Sequence, residues 1–401
     1  MEDHALGALV EPAQTKIALI ILDGLGGLPR EAGGPTELEC ARTPNLDALA
    51  KQSDLGLTLP VAPGITPGSG PGHLAIFGYD PLEHPIGRGA LEALGADFEL
   101  GPGDLAARGN FCSVDAEGLL TDRRAGRIPT ELSRELCSLL QTIRVDGAEI
   151  FLQPVREHRF AFVLRGAGLG DALTETDPQR TGVPIPPVRA LAPASEKAAY
   201  LVRLFLDEAR RRLADRSPAN MVLLRGFAAS PVLPGFLERY RLKAAAIAVR
   251  GMYRGVARLA GMQVLDLRGE ELGDQLAALE QRWDDFDVFY LHVKQTDTAG
   301  ELGDFEGQVR AIEAVDALLP RLLALRPDVL VVGGDHSSPA VLRAHSWHPV
   351  PLLIHSMRAR ASAVPEFGER VCSRGSLGLL RATDVMPLAL AHAGRLGKYG
   401  A

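Results

Sequence analysis

The chain contains a run of seven residues, KIALIIL (16–22), in which only the first side chain is polar. A short apolar run without alternation is typical of a strand that is buried on both faces, as in a parallel sheet covered by helices. The run ends at DGLGG (23–27), which predicts a tight turn. Thr43-Pro44 fits an N-cap followed by proline at the first helical position, so we expect a helix to about Lys51.

The same order of elements returns towards the C-terminus. FDVFYLHV (286–293) predicts a strand, and apolar residues at helical spacing predict a helix over about 305–325, which we expect Pro320 to kink or divide. Further strands are predicted at 329–332 and 350–354. Alternating strands and helices predict an α/β fold, a doubly wound and mainly parallel sheet.

The middle of the chain differs from both ends. Short strand-like pieces such as Phe160–Arg165 are separated by glycine-rich turns, residues 182–193 form a proline-rich loop, and Glu196–Leu213 is a strongly amphipathic helix. We therefore expect a smaller α/β (α+β) lobe inserted into the first domain. The predicted ranges are 1–83 and 235–401 for the larger domain, and 84–234 for the inserted lobe.

Charge and composition limit the partners and the location. The net charge is -7 and the basic residues form no single run, which argues against a nucleic-acid or anionic-membrane partner. No apolar run approaches the ~18 residues of a membrane span. The start of the chain lacks the basic residues of a signal peptide, and the four cysteines are far apart. We expect a cytoplasmic protein with reduced thiols; its oligomeric state is not predicted.

Acidic and imidazole side chains follow the predicted strands. Asp23, Asp297 and Asp335-His336 come at strand ends, and His345 is nearby. A single aspartate after a strand is usually a turn former or helix cap. Because the carboxyl ends of strands in an open α/β sheet form the ligand crevice, these groups are expected to converge. Carboxylates with imidazoles suit Mn²⁺, Mg²⁺ or Zn²⁺.

A serine lies in the loop TPGSGPGHL (66–74), where a helix is predicted to begin at Ser69 and run through Phe77. Backbone N–H groups and the dipole at a helix N-terminus favour negative charge, as on an alkoxide or a phosphoryl group. A metal ion can lower the hydroxyl pKa enough to make such a serine a nucleophile. Taken alone, the residue also fits a plain N-cap. No Gly-Lys-Ser/Thr follows, so the loop is not a Walker A motif.

Several longer stretches match one family. The chain resembles the archaeal-type, cofactor-independent (2,3-bisphosphoglycerate-independent) phosphoglycerate mutases of the alkaline-phosphatase superfamily over nearly its whole length. The matching stretches are ILDGLGGLP (21–29), ECARTPNLDALA (39–50), GSGPGHLAIFGYDP (68–81), GRGALEALG (87–95), VARLAGM (256–262), GDFEGQVRAIEAVD (303–316), GGDHSSP (333–339) and HSWHPVP (345–351).

The resemblance implies an alkaline-phosphatase-type sheet, two divalent metal ions and a phosphoserine mechanism. It implies that 1–83 and 235–401 form the metal-binding domain and that 84–234 form a substrate-binding, phosphotransferase domain. By it, one ion is bound by Asp23, Ser69, Asp335 and His336, with Ser69 as the nucleophile. The second ion is bound by Asp297 and His345. The implied reaction moves the phosphate of 3-phosphoglycerate to Ser69 and then to the 2-hydroxyl of the retained glycerate.

One ligand position departs from the family pattern, Lys-Gly-Thr-Asp-x-x-Gly-His. The chain has Glu301 where the histidine is expected, and Gln295 where the family has glycine. A carboxylate at 301 can still bind an ion and favours Mn²⁺ or Mg²⁺, with Zn²⁺ or Co²⁺ as the other options. The alternative is a lost second metal and an altered activity.

A phosphoglycerate carries two anionic groups, which arginine's fork geometry fits. The candidates lie in or beside family-like motifs: Arg88, Arg123, Arg127, Arg225 and Arg254, the last standing where the family has lysine. Two rival functions stay open. One is a phosphomonoesterase or homoserine-kinase-like enzyme of the same superfamily, and the other is a binding protein with a degraded second metal site.

Overall fold

The computed structural model describes residues 3–361 and 366–400. The strands in these ranges are β1 (Ile17–Leu22), β2 (Ser53–Leu59), β3 (Leu105–Val114), β4 (Leu120–Asp122), β5 (Glu149–Arg156), β6 (Arg159–Arg165), β7 (Met221–Ala229), β8 (Ala244–Ile247), β9 (Gln263–Val264), β10 (Val288–Val293), β11 (Val329–Gly333), β12 (Val350–Ser356) and β13 (Gly378–Arg381).

The α-helices in the same ranges are α1 (Asp3–Leu9), α2 (Glu37–Cys40), α3 (Pro44–Ala50), α4 (Ser69–Ile76), α5 (Arg88–Gly95), α6 (Thr130–Leu140), α7 (Glu196–Leu213), α8 (Phe236–Tyr240), α9 (Gly251–Leu259), α10 (Leu272–Gln281), α11 (Gln295–Leu302), α12 (Phe305–Ala324), α13 (Glu369–Cys372) and α14 (Val385–His392). Among the described helices, none is both long and apolar enough to cross a membrane.

The chain divides into two compact units. The first comprises the described parts of Met1–His84, Leu233–Val249 and Val256–Ala401, and the second comprises Pro85–Val232 and Arg250–Gly255. The short segment 250–255 groups with the second unit, although the predicted range 235–401 assigned it to the first. Its first glycine explains the grouping, because a Cβ on Gly251 would lie 2.5 Å from the carbonyl oxygen of Gly95. The functions assigned to the predicted domains stay predictions.

An eight-stranded sheet in the order β13-β2-β12-β11-β1-β10-β8-β9 forms the centre of the first unit. β1 lies between β10 and β11 and is parallel to both. Only the β11–β12 and β12–β2 pairs are antiparallel. Every residue of β1, β10 and β11 is buried, as expected for strands covered on both faces. The prediction of a mainly parallel α/β sheet is confirmed.

Helix α12 covers this sheet with an apolar stripe that includes the buried residues Ile312, Leu319 and Leu322. Pro320 was expected to kink or divide this helix, but α12 continues through it from Phe305 to Ala324. Proline at this position leaves the carbonyl of Asp316 without its helical donor. The side-chain amide of Asn45 donates to that carbonyl at 3.1 Å, so a tertiary contact replaces the missing bond.

The second unit has its own five-stranded antiparallel sheet, in the order β4-β3-β6-β5 with β7 paired to β3. Helix α7 has the predicted bounds and packs its buried face, including Phe205, against this sheet's core. The ring of Phe162 lies 4.6 Å from that of Phe205, centroid to centroid. Within the described residues, the strands of the two sheets do not pair with each other.

Candidate metal centre

Three neighbouring strands of the first unit bring the predicted acids together. Asp23 follows β1, Asp335 follows β11, and Asp297 lies in the first turn of α11, directly after β10. Because β10 and β11 flank β1 in parallel, their carboxyl ends meet at one edge of the sheet. All three aspartates are completely buried.

The first group of candidate ligands is Asp23, Asp335 and His336. Nε2 of His336 lies 3.0 Å from Oδ1 of Asp23 and 3.3 Å from Oδ2 of Asp335. Both carboxylate oxygens are buried; Oδ2 of Asp335 also lies 3.1 Å from Nδ1 of His73, but that nitrogen donates to the carbonyl of Ser69, and neither oxygen accepts a hydrogen bond from the described residues. Buried anionic oxygens without donors are costly unless a cation neutralises them. These residues therefore fit a divalent metal ion.

Ser69 is the first residue of α4, and its hydroxyl lies 3.1 Å from Nε2 of His336. Gly68 at the N-cap provides no side-chain cap, so the first turn stays open towards the group. Nδ1 of His73 donates to the carbonyl of Ser69 at 2.8 Å and holds this turn. Gly72 is required here, because a Cβ would lie 2.3 Å from the carbonyl oxygen of Asp335.

The second group is Asp297, His336 and His345. Nε2 of His345 lies 3.4 Å from Oδ1 of Asp297, and its Nδ1 donates to the carbonyl of Pro67 at 3.0 Å. The rings of His336 and His345 stack with centroids 3.7 Å apart. Glu301 lies outside this compact group, but its Oε1 is 3.5 Å from Nε2 of His345.

Lys294 links the two groups. Its ammonium lies 3.2 Å from Oδ2 of Asp23 and 2.5 Å from Oδ2 of Asp297. Nε2 of His292 donates to the same Asp23 oxygen at 3.0 Å. In both aspartates Oδ2 is therefore occupied, while Oδ1 faces a candidate histidine ligand. This arrangement leaves Oδ1 of Asp23 for an ion, whereas Oδ1 of Asp297 also accepts a hydrogen bond from Oγ of Ser338 at 2.5 Å.

The electrostatics of the groups follow from these contacts. Burial alone would raise the pKa of Asp23, but the hydrogen bond from His292 holds it well below the usual range. Burial likewise opposes ionisation of Asp297, yet His345 and Lys294 lower its pKa to about 2. Burial would lower the pKa of His345, but Asp297 and the Pro67 carbonyl raise it to about 9.

In the second unit, arginines gather on β3 and β7. Arg108 and Arg225 are paired in register on these strands. Burial lowers the pKa of Arg108, and the charges of Arg225, Arg159 and Arg88 lower it further against the opposing effect of Glu92. The Nε atoms of Arg108 and Arg225 are buried and donate to no described residue. Buried cationic donors without acceptors fit an anionic ligand.

The other predicted arginines have different surroundings. Arg123 donates twice to Asp177, at 2.9 and 2.7 Å, and this carboxylate also lies 3.7 Å from Arg225. Arg254 pairs with Asp97 at 3.2 Å. Arg127 is exposed on a turn. No described contact links Arg127 or Arg254 to Arg108.

The sequence reasoning missed several residues of these groups: His73, Arg108, His292, Lys294 and Ser338. Lys294 and Ser338 lie within three residues of a predicted ligand in the same turn, which is the signal that was available. His292 sits in an apolar strand, where a histidine reads as an ordinary core residue. Arg108 lies outside the motifs that carried the family resemblance.

Comparison with known proteins gives consistent matches. The family model of 2,3-bisphosphoglycerate-independent phosphoglycerate mutase matches residues 50–220. A probable 2,3-bisphosphoglycerate-independent phosphoglycerate mutase of Thermus thermophilus is 53% identical over 400 residues, covering 99% of this chain and 98% of the relative. One from Thermotoga maritima is 49% identical over 395 residues, covering 98% of each chain.

Two solved structures resemble the chain over almost their whole length. A protein from Pyrococcus horikoshii is 31% identical with a TM-score of 0.80, over 97% of this chain and 100% of that one. The cofactor-independent phosphoglycerate mutase of Thermoplasma acidophilum is 29% identical with a TM-score of 0.81, over 95% of this chain and 100% of that one. From the near-complete match to relatives at about half identity, the chain belongs to the 2,3-bisphosphoglycerate-independent phosphoglycerate mutase family.

Proposed function

We propose that the protein interconverts 3-phosphoglycerate and 2-phosphoglycerate through a phosphoserine on Ser69. The observation that carries this proposal is the hydroxyl of Ser69, which lies at the start of a helix and 3.1 Å from Nε2 of His336. One buried oxygen of Asp23 and one of Asp335 lie 3.0 and 3.3 Å from the same nitrogen, and neither oxygen accepts a hydrogen bond from the described residues. The relatives matched over nearly the whole chain support this function over a phosphatase, a kinase-like enzyme or a binding protein.

The residues present would hold two divalent ions, with Mn²⁺ or Mg²⁺ favoured over Zn²⁺ or Co²⁺. Asp23, Ser69, Asp335 and His336 would bind one ion. Asp297 and His345, with Glu301, would bind the other. When bound, such ions lower the pKa of a coordinated hydroxyl and neutralise charge on the transferring phosphoryl group.

The steps on the protein's own atoms are two displacements at phosphorus. The oxygen of Ser69 attacks, the bond from phosphorus to the 3-oxygen of glycerate breaks, and that oxygen takes up the proton that Ser69 gives up. Backbone N–H groups at the start of α4 favour the negative charge of the phosphoserine. The 2-hydroxyl of the retained glycerate then attacks the phosphoserine, and the proton returns to Ser69. No bisphosphate takes part.

Substrate binding is assigned to cations of the second unit. Arg88 and Arg225 remain candidates, and Arg108 joins them because its buried donor has no acceptor among the described residues. Arg123 is proposed to act through Asp177, which it holds by two hydrogen bonds. A cytoplasmic location stays a prediction from the sequence.

An enolase-coupled assay tests the proposed function. Metal-free protein is supplied with Mn²⁺, Mg²⁺, Co²⁺ or Zn²⁺ and 3-phosphoglycerate, without any bisphosphate. We expect turnover only with metal and no release of inorganic phosphate. Activity in excess EDTA that depends on 2,3-bisphosphoglycerate contradicts the proposal, and stoichiometric phosphate release indicates a phosphatase instead.

A further inference from the structure

Ser338 lies two residues after His336 and is completely buried. Its backbone N–H lies 3.3 Å from the carbonyl oxygen of Gly24 and 3.1 Å from that of Gly26, in the loop that follows Asp23. The side-chain amide of Gln308 donates to the carbonyl of Ser338 at 3.3 Å and to that of Gly24 at 3.1 Å. The N–H group of Ser338 is therefore bound to the loop that follows Asp23, and its carbonyl is linked to the same loop through Gln308.

Two glycines make room for this serine. Gly24 has a φ of +66°, and a Cβ there would lie 2.7 Å from both Cβ and Oγ of Ser338. A Cβ on Gly300 would lie 2.1 Å from the carbonyl oxygen of Ser338. Since real Cβ atoms do not approach so closely, larger residues at 24 or 300 would displace the serine. The hydroxyl thus has one well-defined position.

The hydroxyl of Ser338 has one hydrogen and two neighbours within hydrogen-bond distance, Oδ1 of Asp297 and Nδ1 of His336. Oγ of Ser338 donates to Oδ1 of Asp297 at 2.5 Å, and an ionised carboxylate can only accept. Oγ also lies 3.2 Å from Nδ1 of His336. Because the hydroxyl hydrogen is already used, this second contact requires a proton on Nδ1. In the neutral ring, Nε2 then carries the lone pair.

The lone pair on Nε2 of His336 faces the place where an ion is expected. Nε2 lies 3.0 Å from Oδ1 of Asp23, 3.3 Å from Oδ2 of Asp335 and 3.1 Å from the hydroxyl of Ser69. Two acceptor oxygens and a lone pair repel one another unless a cation lies between them. The hydrogen bond to Ser338 therefore selects the tautomer that can bind metal.

We propose that Ser338 is a positioning residue that couples the two metal groups. Its one hydroxyl orients Asp297, which belongs to one ion's ligands, and sets the tautomer of His336, which is placed with the other ion. Partners of this kind fix the orientation of a ligand, and their loss typically costs about 10–100-fold in metal affinity. The inference rests on the proposed metal centre and adds a residue that binds neither substrate nor metal.

Metal titration of Ser338→Ala, with Ser337→Ala as the matched control, tests this role. Ser337 is the adjacent, equally buried serine, and its hydroxyl donates to the carbonyl of His348 at 2.9 Å instead of to a candidate ligand. Each full-length protein is stripped of metal and titrated calorimetrically with Mn²⁺, with thermal unfolding as the check on folding. We expect Ser338→Ala to weaken both Mn²⁺ sites about 10–100-fold and Ser337→Ala to leave them as in the wild type.

The outcomes separate this role from the proposed function. Equal affinities in Ser338→Ala and the wild type, or a loss confined to one ion, overturn the coupling by Ser338 and leave the metal centre intact. A wild-type protein that binds no Mn²⁺ overturns the metal centre and this role together. The ¹⁵N shifts of His336 in the metal-free wild type give a test that needs no variant, and a neutral ring with its proton on Nε2 overturns the role.

Discussion

The carboxylate of Glu301 lies 3.5 Å from Nε2 of His345, the nitrogen that also faces Asp297. Glu301 stands where the family pattern has a histidine, and its side chain is 55% exposed. From this position at the rim of the second group, a rotation of the side chain would bring an oxygen towards the ion that Asp297 and His345 are proposed to bind. Compared with histidine, glutamate at position 301 adds a negative charge and has a side chain of similar length. It should therefore favour the binding of harder ions such as Mn²⁺ and Mg²⁺.

Removal of this carboxylate should weaken the binding of only one of the two ions. We expect Glu301→Ala to lose affinity at one of two Mn²⁺ sites, and Glu301→His to move the preference towards Zn²⁺ or Co²⁺, because imidazole is the softer ligand. Competition titrations with Mn²⁺ and Zn²⁺ measure both effects. Glu306→Ala is the matched control, since Glu306 is exposed and pairs with Arg30 away from these ligands. Unchanged content and preference in both Glu301 variants would show that Glu301 is not a ligand.

Loss of the Ser69 hydroxyl should abolish turnover while the fold persists. Alanine fits at the first position of α4, and the carbonyl of residue 69 that His73 contacts remains. We expect the enolase-coupled rate of Ser69→Ala to fall more than ~10²-fold, because no other group replaces the nucleophile. Ser138→Ala on the exposed face of α6 is the control. A Ser69→Ala protein with more than a few per cent of the wild-type rate would remove Ser69 from this role.

The raised pKa of His345 predicts how the metal-free protein responds to pH. The folded pKa is about 9 and the unfolded value is about 6.5, so the folded state binds more protons between them. This stabilisation is fully present below pH 6.5 and is lost as pH rises through 9, up to about 3 kcal/mol. Metal binding should release this proton, so the apparent metal affinity rises over the same window.

Urea unfolding of the metal-free protein at several pH values, and calorimetry in buffers of different ionisation enthalpy, measure these two effects. The variant His345→Asn serves as the control, because it cannot bind the proton. Its free energy of unfolding should depend less on pH between 6.5 and 9 than that of the wild type. An identical pH dependence in both proteins would show that another group takes up the proton.

The strands β1, β10, β11 and β12 could be predicted because their runs are mainly apolar, whereas β2 and β13, which contain polar residues, were not predicted. The runs that became β1 and β11 are buried on both faces, and the rule that parallel strands end at one edge then predicted that Asp23, Asp297 and Asp335 would lie together. The direction of β12 could not be predicted in this way. An apolar run has the same pattern whether its partner is parallel or antiparallel, and β12 is antiparallel to β11.

Tertiary contacts determine the parts that the sequence did not reveal. Helix α11 contains two threonines and a glycine, which disfavour a helix. The hydroxyl of Thr296 holds the first turn of this helix in place by donating to the carbonyl of Asp23 at 2.5 Å. Gly303, at a φ of +76°, ends the helix. Lys294 could not be assigned as the link between the two groups, since its two carboxylate partners are brought together only by the sheet.

Substitutions of arginines in the second unit should distinguish a residue that binds the substrate from one that stabilises the fold. Arg108 is surrounded by the charges of Arg88, Arg159 and Arg225. Its buried Nε makes no hydrogen bond to a described residue, although the carboxylate of Glu92 lies 3.8 Å away. Such crowding of like charges is unfavourable until an anion binds. Substituting Arg108 should therefore stabilise the free protein while it weakens substrate binding.

We expect Arg108→Leu to raise the melting temperature and to lower kcat/KM about 10–100-fold, the equivalent of one charged hydrogen bond of about 1.5–3 kcal/mol. Arg123→Leu should lower the melting temperature, because the buried carboxylate of Asp177 loses both hydrogen bonds from Arg123 and keeps the one from the backbone N–H of Gln179. Arg134→Leu, on helix α6, is the control. Thermal unfolding and the enolase-coupled assay measure the two effects on the same proteins. An Arg108→Leu protein that is less stable and fully active would mean that this arginine supports the fold and does not bind the substrate.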